Sequence, residues 1–308
     1  MNLIALLVSL VIERLATQYF HWRRMPWLDR VIDAGIRNAS GKSTVSALSL
    51  VLLLTLVLVL PVLIVSSALN DTLLGFPYLV LSIAVLFFSL GPKDVGEDVD
   101  EYCRALEAGD EETARRRAET LIEGELPEDQ YEATRAVEAA VFVQANNRLF
   151  AVIFWFFVLG PLGPLGAWTY RITDLIRRRA VLNALRQENE EASAAAVRVQ
   201  AVASGLHAFL AWIPARLTAI GYAIAGHFDA AIEAWRTPRG EPGGIAAGSN
   251  ESLLARVGVG AMALDEVPDE DLVERSIRGA TTANSLVFRL LLIWVVIIAA
   301  MTLYGWTA

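Results

Sequence analysis

Cysteine is almost absent from this sequence: Cys103 stands alone in 308 residues, which excludes a disulfide framework and a cysteine-rich metal centre. In a helical segment it reads as a half-buried structural residue. The three histidines, His21, His207 and His227, are far apart and show no His-Glu-x-x-His spacing, so no metal ligand is assigned. There is no Walker-type glycine-rich loop, no dinucleotide fingerprint and no serine-centred nucleophile elbow. No residue is therefore assigned a catalytic role, and the cofactor is unknown. Charge is scarce as well, at 19% of residues, and its balance is acidic: the formal net charge of −8 lacks the basic face that a nucleic-acid partner needs. What the chain has in abundance is apolar surface. It is 55% hydrophobic with a mean hydropathy of +0.46, which marks an integral membrane protein in contact with the lipid bilayer.

Three stretches carry no charge over a length that spans a hydrocarbon core of about 30 Å. They are Val45–Leu69, Thr72–Pro92 and Leu290–Ala308, the last with Arg289 at its edge able to reach the headgroups. Asn70 and Asp71 separate the first two, which predicts a tight hairpin. Met1–Phe20 is apolar until Glu13 and Arg14; it lacks a basic leader and a small-residue cleavage site, so it is expected to stay in the mature protein. Leu149–Trp168 is apolar too, but Gly160-Pro161-Leu162-Gly163-Pro164-Leu165-Gly166 cannot sustain one straight helix. A helical hairpin that turns there, dipping into the membrane or packing on its surface, is expected instead.

Basic residues near the spans set orientation. Arg14, Arg23, Arg24, Arg30, Arg37 and Lys42 place 13–44 in the cytoplasm. Lys93–Arg148 returns there although it holds 16 acidic against 7 basic residues. Arg171 and Arg177–Arg179 prefer the same side, and the C-terminus falls outside. Apolar residues at three- and four-residue spacing predict helices over Asp98–Leu106, Asp110–Ile122 and Glu128–Ala145, with solvated surface as the default for their acidic faces. A polar helix follows over Arg178–Gln200, and Arg239–Asn250 is a flexible loop. The expected class is all-α: a polytopic membrane helical bundle with a helical cytoplasmic portion. Its segments are 1–92 (helix 1–20, spans 45–69 and 72–92), the acidic cytoplasmic segment 93–148, the hairpin and cytoplasmic helices 149–283, and the C-terminal transmembrane helix 284–308.

A few polar residues interrupt the apolar runs. Asn146, Asn147 and Arg148 precede the Phe/Trp-rich stretch; Tyr170, Arg171, Thr173 and Asp174 follow the Gly-Pro turn; His207 and Arg216 flank Trp212. Polar groups at membrane depth are costly unless satisfied, so they mark either a site or interhelical hydrogen bonds that fix the bundle. In Trp212-Ile213-Pro214-Ala215-Arg216, the proline is expected to break or start a helix. Arg216 then sets a planar cation beside an apolar surface, suited to a carboxylate or phosphate. The ligand-binding candidates are thus Asn146, Arg148, Arg171, Asp174, His207, Trp212 and Arg216.

Taken in order, several strings resemble a known superfamily. They are Glu138…Asn146-Asn147-Arg148-Leu149-Phe150, Phe154-Trp155, the Gly-Pro turn, Tyr170-Arg171-x-Thr173-Asp174 and Trp212-Ile-Pro-Ala-Arg216-Leu-Thr. This order is similar to that of the superfamily shared by the CobD/CbiB cobalamin-biosynthesis synthases and the AmpE regulatory proteins. The opening Glu13-Arg14-Leu15…His21-Trp22 resembles AmpE in particular. The synthases carry Glu-Asn-Thr-x-Asp where this chain has Ala145–Leu149, and Asp-Asp-x-x-Asn where it has His207–Ala211. Those acids suit an enzyme that holds Mg²⁺ and ATP phosphates. The AmpE resemblance implies a bacterial inner-membrane protein linked to β-lactamase induction, antibiotic resistance and cell-wall recycling, with a signalling or sensing role. From the residues themselves, an anionic ligand, a nucleotide or a muropeptide, is expected in a cytoplasm-facing pocket formed by the Asn146/Arg148 helix, the Arg171/Asp174 helix and Arg216. The alternative is a membrane-bound ATP-dependent enzyme that joins a carboxylate to an amine. A third reading is a structural membrane adaptor whose acidic Lys93–Arg148 segment docks a cytosolic partner.

Overall fold

Every regular element among the described residues is helical. The computed structural model describes residues 2–16, 25–37, 43–69, 76–91, 94–185, 190–236, 249–265 and 267–304. In chain order the helices are α1 (Asn2–Ala16), α2 (Pro26–Arg37), α3 (Thr44–Leu69), α4 (Phe76–Ser89), α5 (Val95–Glu107), α6 (Glu111–Ile122) and α7 (Gln130–Ala145). They continue with α8 (Ala151–Val158), α9 (Gly163–Leu185), α10 (Glu190–Ala225), α11 (Phe228–Arg236), α12 (Asn250–Met262) and α13 (Leu272–Leu303). A π-turn, Asn146–Phe150, joins α7 to α8, and a 3₁₀ turn, Gly160–Leu162, joins α8 to α9. The chain divides into two units, one of residues 1–92, 151–211 and 304–308, the other of 93–150 and 212–303.

In the first unit α9 packs against α2, α3, α4 and α8, while α1 lies on α4. The reason is a stripe at four-residue spacing on α9, Trp168, Ile172, Ile176 and Ala180. It meets matching rows: Leu28, Ile32 and Ile36 on α2, Ala47 and Val51 on α3, Val199 and Ala203 on α10. The Trp168 indole also donates to Leu58 O at 2.9 Å, one residue beyond the Val57 carbonyl that Pro61 deprives of its helical donor.

The Gly-Pro run does two physical jobs. Gly160 adopts φ 52°, a left-handed conformation that suits glycine, and so turns the chain. Gly163 then lets α9 close on α8: a Cβ there would lie 2.2 Å from Phe156 O. Gly166 makes the same approach to Trp155 O, at 2.6 Å. The expected hairpin is therefore present, and its turn is pinned by Tyr78, whose hydroxyl donates to Pro161 O at 2.5 Å. Gly163→Ala should cost about 1–3 kcal/mol by overpacking, read as earlier thermal unfolding in detergent. Unchanged unfolding would rule out this close approach of α8 and α9.

The second unit is built around α7. All residues from Ala136 to Ala145 are buried, because α5, α6, α12 and α13 surround the helix. The Phe142 ring enters a notch at Gly258, where a Cβ would stand 2.2 Å from the ring. Aspartates cap the three helices that the spacing predicted: Asp94 accepts from Gly96 N, Asp110 from Thr113 N and Asp129 from Glu132 N. Cys103 is buried on α5, and burial, then the nearby Asp100 and Glu107 carboxylates, push its thiol up to about 11.

Among the described residues four helices are long and apolar enough to cross a membrane: Thr44–Leu69, Gln130–Val158, Ser193–Ala225 and Leu272–Leu303. Val45–Leu69 is α3, as expected. Of Thr72–Pro92, the described residues hold the 14-residue α4, Phe76–Ser89; residues 70–75, and with them the expected Asn70-Asp71 hairpin, lie outside the described residues. Leu290–Ala308 is the end of a helix that begins at Leu272, and 305–308 also fall outside the description. Of Met1–Phe20, α1 covers Asn2–Ala16. The expected helix Arg178–Gln200 belongs to two elements, α9 and α10, and of the loop Arg239–Asn250 only 249–250 is described. Gln130–Val158 and Ser193–Ala225 add to the expected spans, and they carry Glu138, Arg148, His207 and Arg216 within their apolar lengths.

Pro214 is the clearest reversal. It neither starts nor ends a helix; α10 runs through it from Glu190 to Ala225. Proline in a helix interior leaves the carbonyl four residues earlier without a donor. Here that carbonyl is Leu210 O, and the Trp155 indole supplies the missing N–H at 3.1 Å. The helix continues because its one broken bond is replaced from outside.

Candidate functional site

The seven predicted residues fall into two groups, one in each unit. Arg171, Asp174 and His207 belong to the first; Asn146, Arg148, Trp212 and Arg216 belong to the second.

In the first unit a single carboxylate is the focus. Asp174 is fully buried on α9, one turn beyond Arg171. Arg171 Nη1 donates to its Oδ2 at 3.0 Å and Arg177 Nη2 to its Oδ1 at 3.0 Å. Arg178 Nε lies 2.9 Å from Oδ2, and His207 Nε2 lies 3.7 Å from Oδ1. The His207 ring packs on Tyr170 with centroids 5.3 Å apart. Helical spacing explains the convergence, since positions three and four apart share a face. Burial pushes the Asp174 carboxyl up; against it Arg178, Arg177, His207 and Arg171 combine to hold it well below the usual carboxylate range. One turn further on, Arg179 donates to Asp33 Oδ1 at 2.8 Å, and Asn183 Nδ2 donates to the same oxygen at 2.9 Å. These charges close α9 onto α2. Beside the cluster, Trp155, Leu159, Leu165, Gly166, Thr169, Tyr170 and Leu210 line an apolar cleft of about 210 Å³.

In the second unit Arg148 is buried in the π-turn and donates to Asp98 Oδ2 at 2.8 Å and to Gln144 Oε1 at 3.0 Å. Asn146 Nδ2 donates to Asn147 Oδ1 at 3.1 Å, while Asn146 Oδ1 accepts from Thr218 at 3.0 Å. Tyr222 donates to Phe142 O at 2.9 Å. The widened turn thus puts two asparagines and an arginine among buried partners, which is where π-turns tend to be retained. A second buried pair lies on the same helix. Glu138 pairs with Arg275 of α13, and Gly279 leaves the space its carboxylate occupies, since a Cβ there would sit 1.8 Å from Oε1. Thr134 and Ser276 hydroxyls meet at 2.6 Å in the same layer. Burial pushes the neighbouring Tyr102 phenol up to about 12.

Arg216 is placed differently. Its guanidinium lies over the Trp212 ring, 4.0 Å from the centroid, and its Nη1 donates to Trp212 O at 2.9 Å and to Asn250 Oδ1 at 3.0 Å.

Sequence reasoning missed Asp98, Glu138, Arg177, Arg178 and Thr218. Solvated surface is the default expectation for the acidic segment, yet its Asp98 and Glu138 are buried. A signal was available for Asp98, because it falls in the buried row Val95, Asp98, Val99, Tyr102 of α5. Among the described residues no three His, Cys, Asp or Glu side chains gather as a metal site requires.

Long apolar helices interleaved with buried ion pairs define a polytopic all-α membrane protein. The chain belongs to the AmpE family: the profile described as "Regulatory signalling modulator protein AmpE" matches residues 1–307. It is 26% identical to Protein AmpE of Shigella flexneri over 310 residues, 99% of each chain. Two proteins named Cobalamin biosynthesis protein CobD are similar over a shorter region. That of Chromobacterium violaceum is 28% identical over 160 residues, 52% of this chain and 47% of its own. That of Stutzerimonas stutzeri is 29% identical over 156 residues, 50% and 48%. The chain therefore spans about half the length of these cobalamin relatives. No solved structure matches it.

Proposed function

We propose that this chain is a signalling component of the bacterial inner membrane, acting in β-lactamase induction and cell-wall recycling. In this reading the Asp174 cluster of the first unit receives an anionic ligand, a nucleotide or a muropeptide, from the cytoplasmic side. Membership of a family described as regulatory signalling modulators supports the role. One observation carries the choice of site: Arg171, Arg177, Arg178 and His207 converge on a single buried carboxylate. Guanidinium groups brought together in this way are suited to two-point recognition of phosphate or carboxylate oxygens. The basic residues of α9 favour the cytoplasmic side of the membrane. Asn146 and Arg148, held by Thr218, Gln144 and Asp98, serve in this reading to fix the second unit.

Isothermal titration of the detergent-solubilised protein with ATP and with an anhydro-muropeptide tests this. Saturable binding of one ligand, weakened about tenfold or more in Arg178→Gln, is expected from the loss of charge-assisted bonds. Absence of binding by both ligands, or binding indifferent to Arg178→Gln, defeats the assignment. Hydrolysis of ATP coupled to amide formation would favour the enzymatic alternative instead.

A further inference from the structure

We infer that Arg216, stacked on Trp212 at the lipid-facing side of α10, is a binding site for the headgroup phosphate of an anionic phospholipid. The second-unit part of α10 has two faces. Ala215, Thr218, Ala219, Tyr222 and Ala223 are buried, whereas Trp212, Ile213, Leu217, Ile220 and Ile224 are exposed. This helix is long and apolar enough to cross a membrane, so its bare apolar row has acyl chains as its natural neighbour. Arg216 lies at the border of the two faces and is half-buried.

Its geometry is that of a prepared receptor. The ring below and the two Nη1 hydrogen bonds fix the guanidinium plane. The five N–H donors of arginine are divided between Nε, Nη1 and Nη2. Both recorded bonds use Nη1, so among the described residues no acceptor takes the Nε–Nη2 edge. That edge is the one that meets two oxygens of a phosphate side by side. No carboxylate pairs with Arg216 among the described residues, although Glu251 stands in the first turn of α12. Asn250 opens α12, so the positive end of that helix lies beside the guanidinium and favours an anion. A cation on an apolar membrane face is costly when alone. A phospholipid answers both requirements at once, with phosphate oxygens for the guanidinium and acyl chains for Ile213, Leu217, Ile220 and Ile224. Indole rings are enriched at the depth of lipid headgroups, where Trp212 would then lie.

Native mass spectrometry tests the site. The full chain is released from micelles doped with equal amounts of phosphatidylglycerol and phosphatidylcholine. The expected result is preferential retention of phosphatidylglycerol, falling about tenfold in Arg216→Gln and less in Arg216→Lys, which keeps the charge and loses the fork. Asn250→Ala, which frees the guanidinium without removing it, should weaken retention more mildly. All variants are checked for the wild-type elution volume and melting temperature, and an Arg216→Gln protein that fails this check leaves the Asn250→Ala and Arg216→Lys pair to decide. Unchanged retention in that pair overturns the proposal. So does displacement of the lipid by free glycerol phosphate at an equal concentration, which would make the site one for soluble phosphates. Arg178→Gln should leave lipid retention unaltered, so failure here and failure at the Asp174 cluster can be told apart.

Discussion

Arg275→Ala should be among the most damaging single substitutions in this chain, lowering stability by about 3–5 kcal/mol. Arg275 pairs with Glu138, whose side chain is only 2% exposed. Removing the cation strands a carboxylate inside α7's packed surroundings, with the Thr134, Ser276 and Tyr102 layer beside it and Arg278 as the remaining cation in its field. The measurement is the thermal midpoint in detergent, expected to fall by about 10 °C. The control is the double variant Glu138→Gln with Arg275→Met, which removes both charges at similar volume. It should recover most of the loss, since desolvating a pair costs nearly what the pairing returns. A double variant as unstable as Arg275→Ala would mean that lost packing, and not a stranded charge, dominates.

Asp174→Asn should destabilise the first unit by a similar amount, about 3–5 kcal/mol at neutral pH. Here the stranded groups are cations, for Arg171, Arg177 and Arg178 all face this carboxylate. The pH dependence gives the sign. The carboxyl is held below its ordinary value in the folded protein. Its contribution is therefore complete above the unfolded value of about 3.9 and is lost only as pH falls through the lower folded value. The gap in stability between wild type and Asp174→Asn should stay flat from pH 8 to about pH 5 and narrow only in stronger acid. A gap that closes near neutral pH would contradict the depressed carboxyl.

The legible parts of the fold were those fixed by local chemistry. The bounds of α5, α6 and α7 follow from apolar spacing, and capping aspartates enforce them. The Gly-Pro run declared a hairpin because glycine and proline act on their own backbone. What could not be read was anything settled by a distant partner. Arg289 marks the expected edge of the C-terminal span, whereas α13 begins at Leu272 and takes in Arg275 and Arg278, whose charges Glu138 and Glu270 answer. Asp98 looked solvated until Arg148, fifty positions away, was brought to it. The candidate residues are polar groups in apolar helices, and the sequence alone does not show that Arg171 and Arg216 belong to different units.

The same lesson has a sharper form at Leu210. A proline inside α10 and an indole on α8 are two halves of one repair, written about sixty residues apart. Trp155 stands in for a missing amide proton, and its worth at that position exists only while residue 214 is proline. The two positions are thus coupled in energy: restoring an N–H at 214 would release 155 from its duty, whereas losing the indole would leave a bare carbonyl inside an apolar helix.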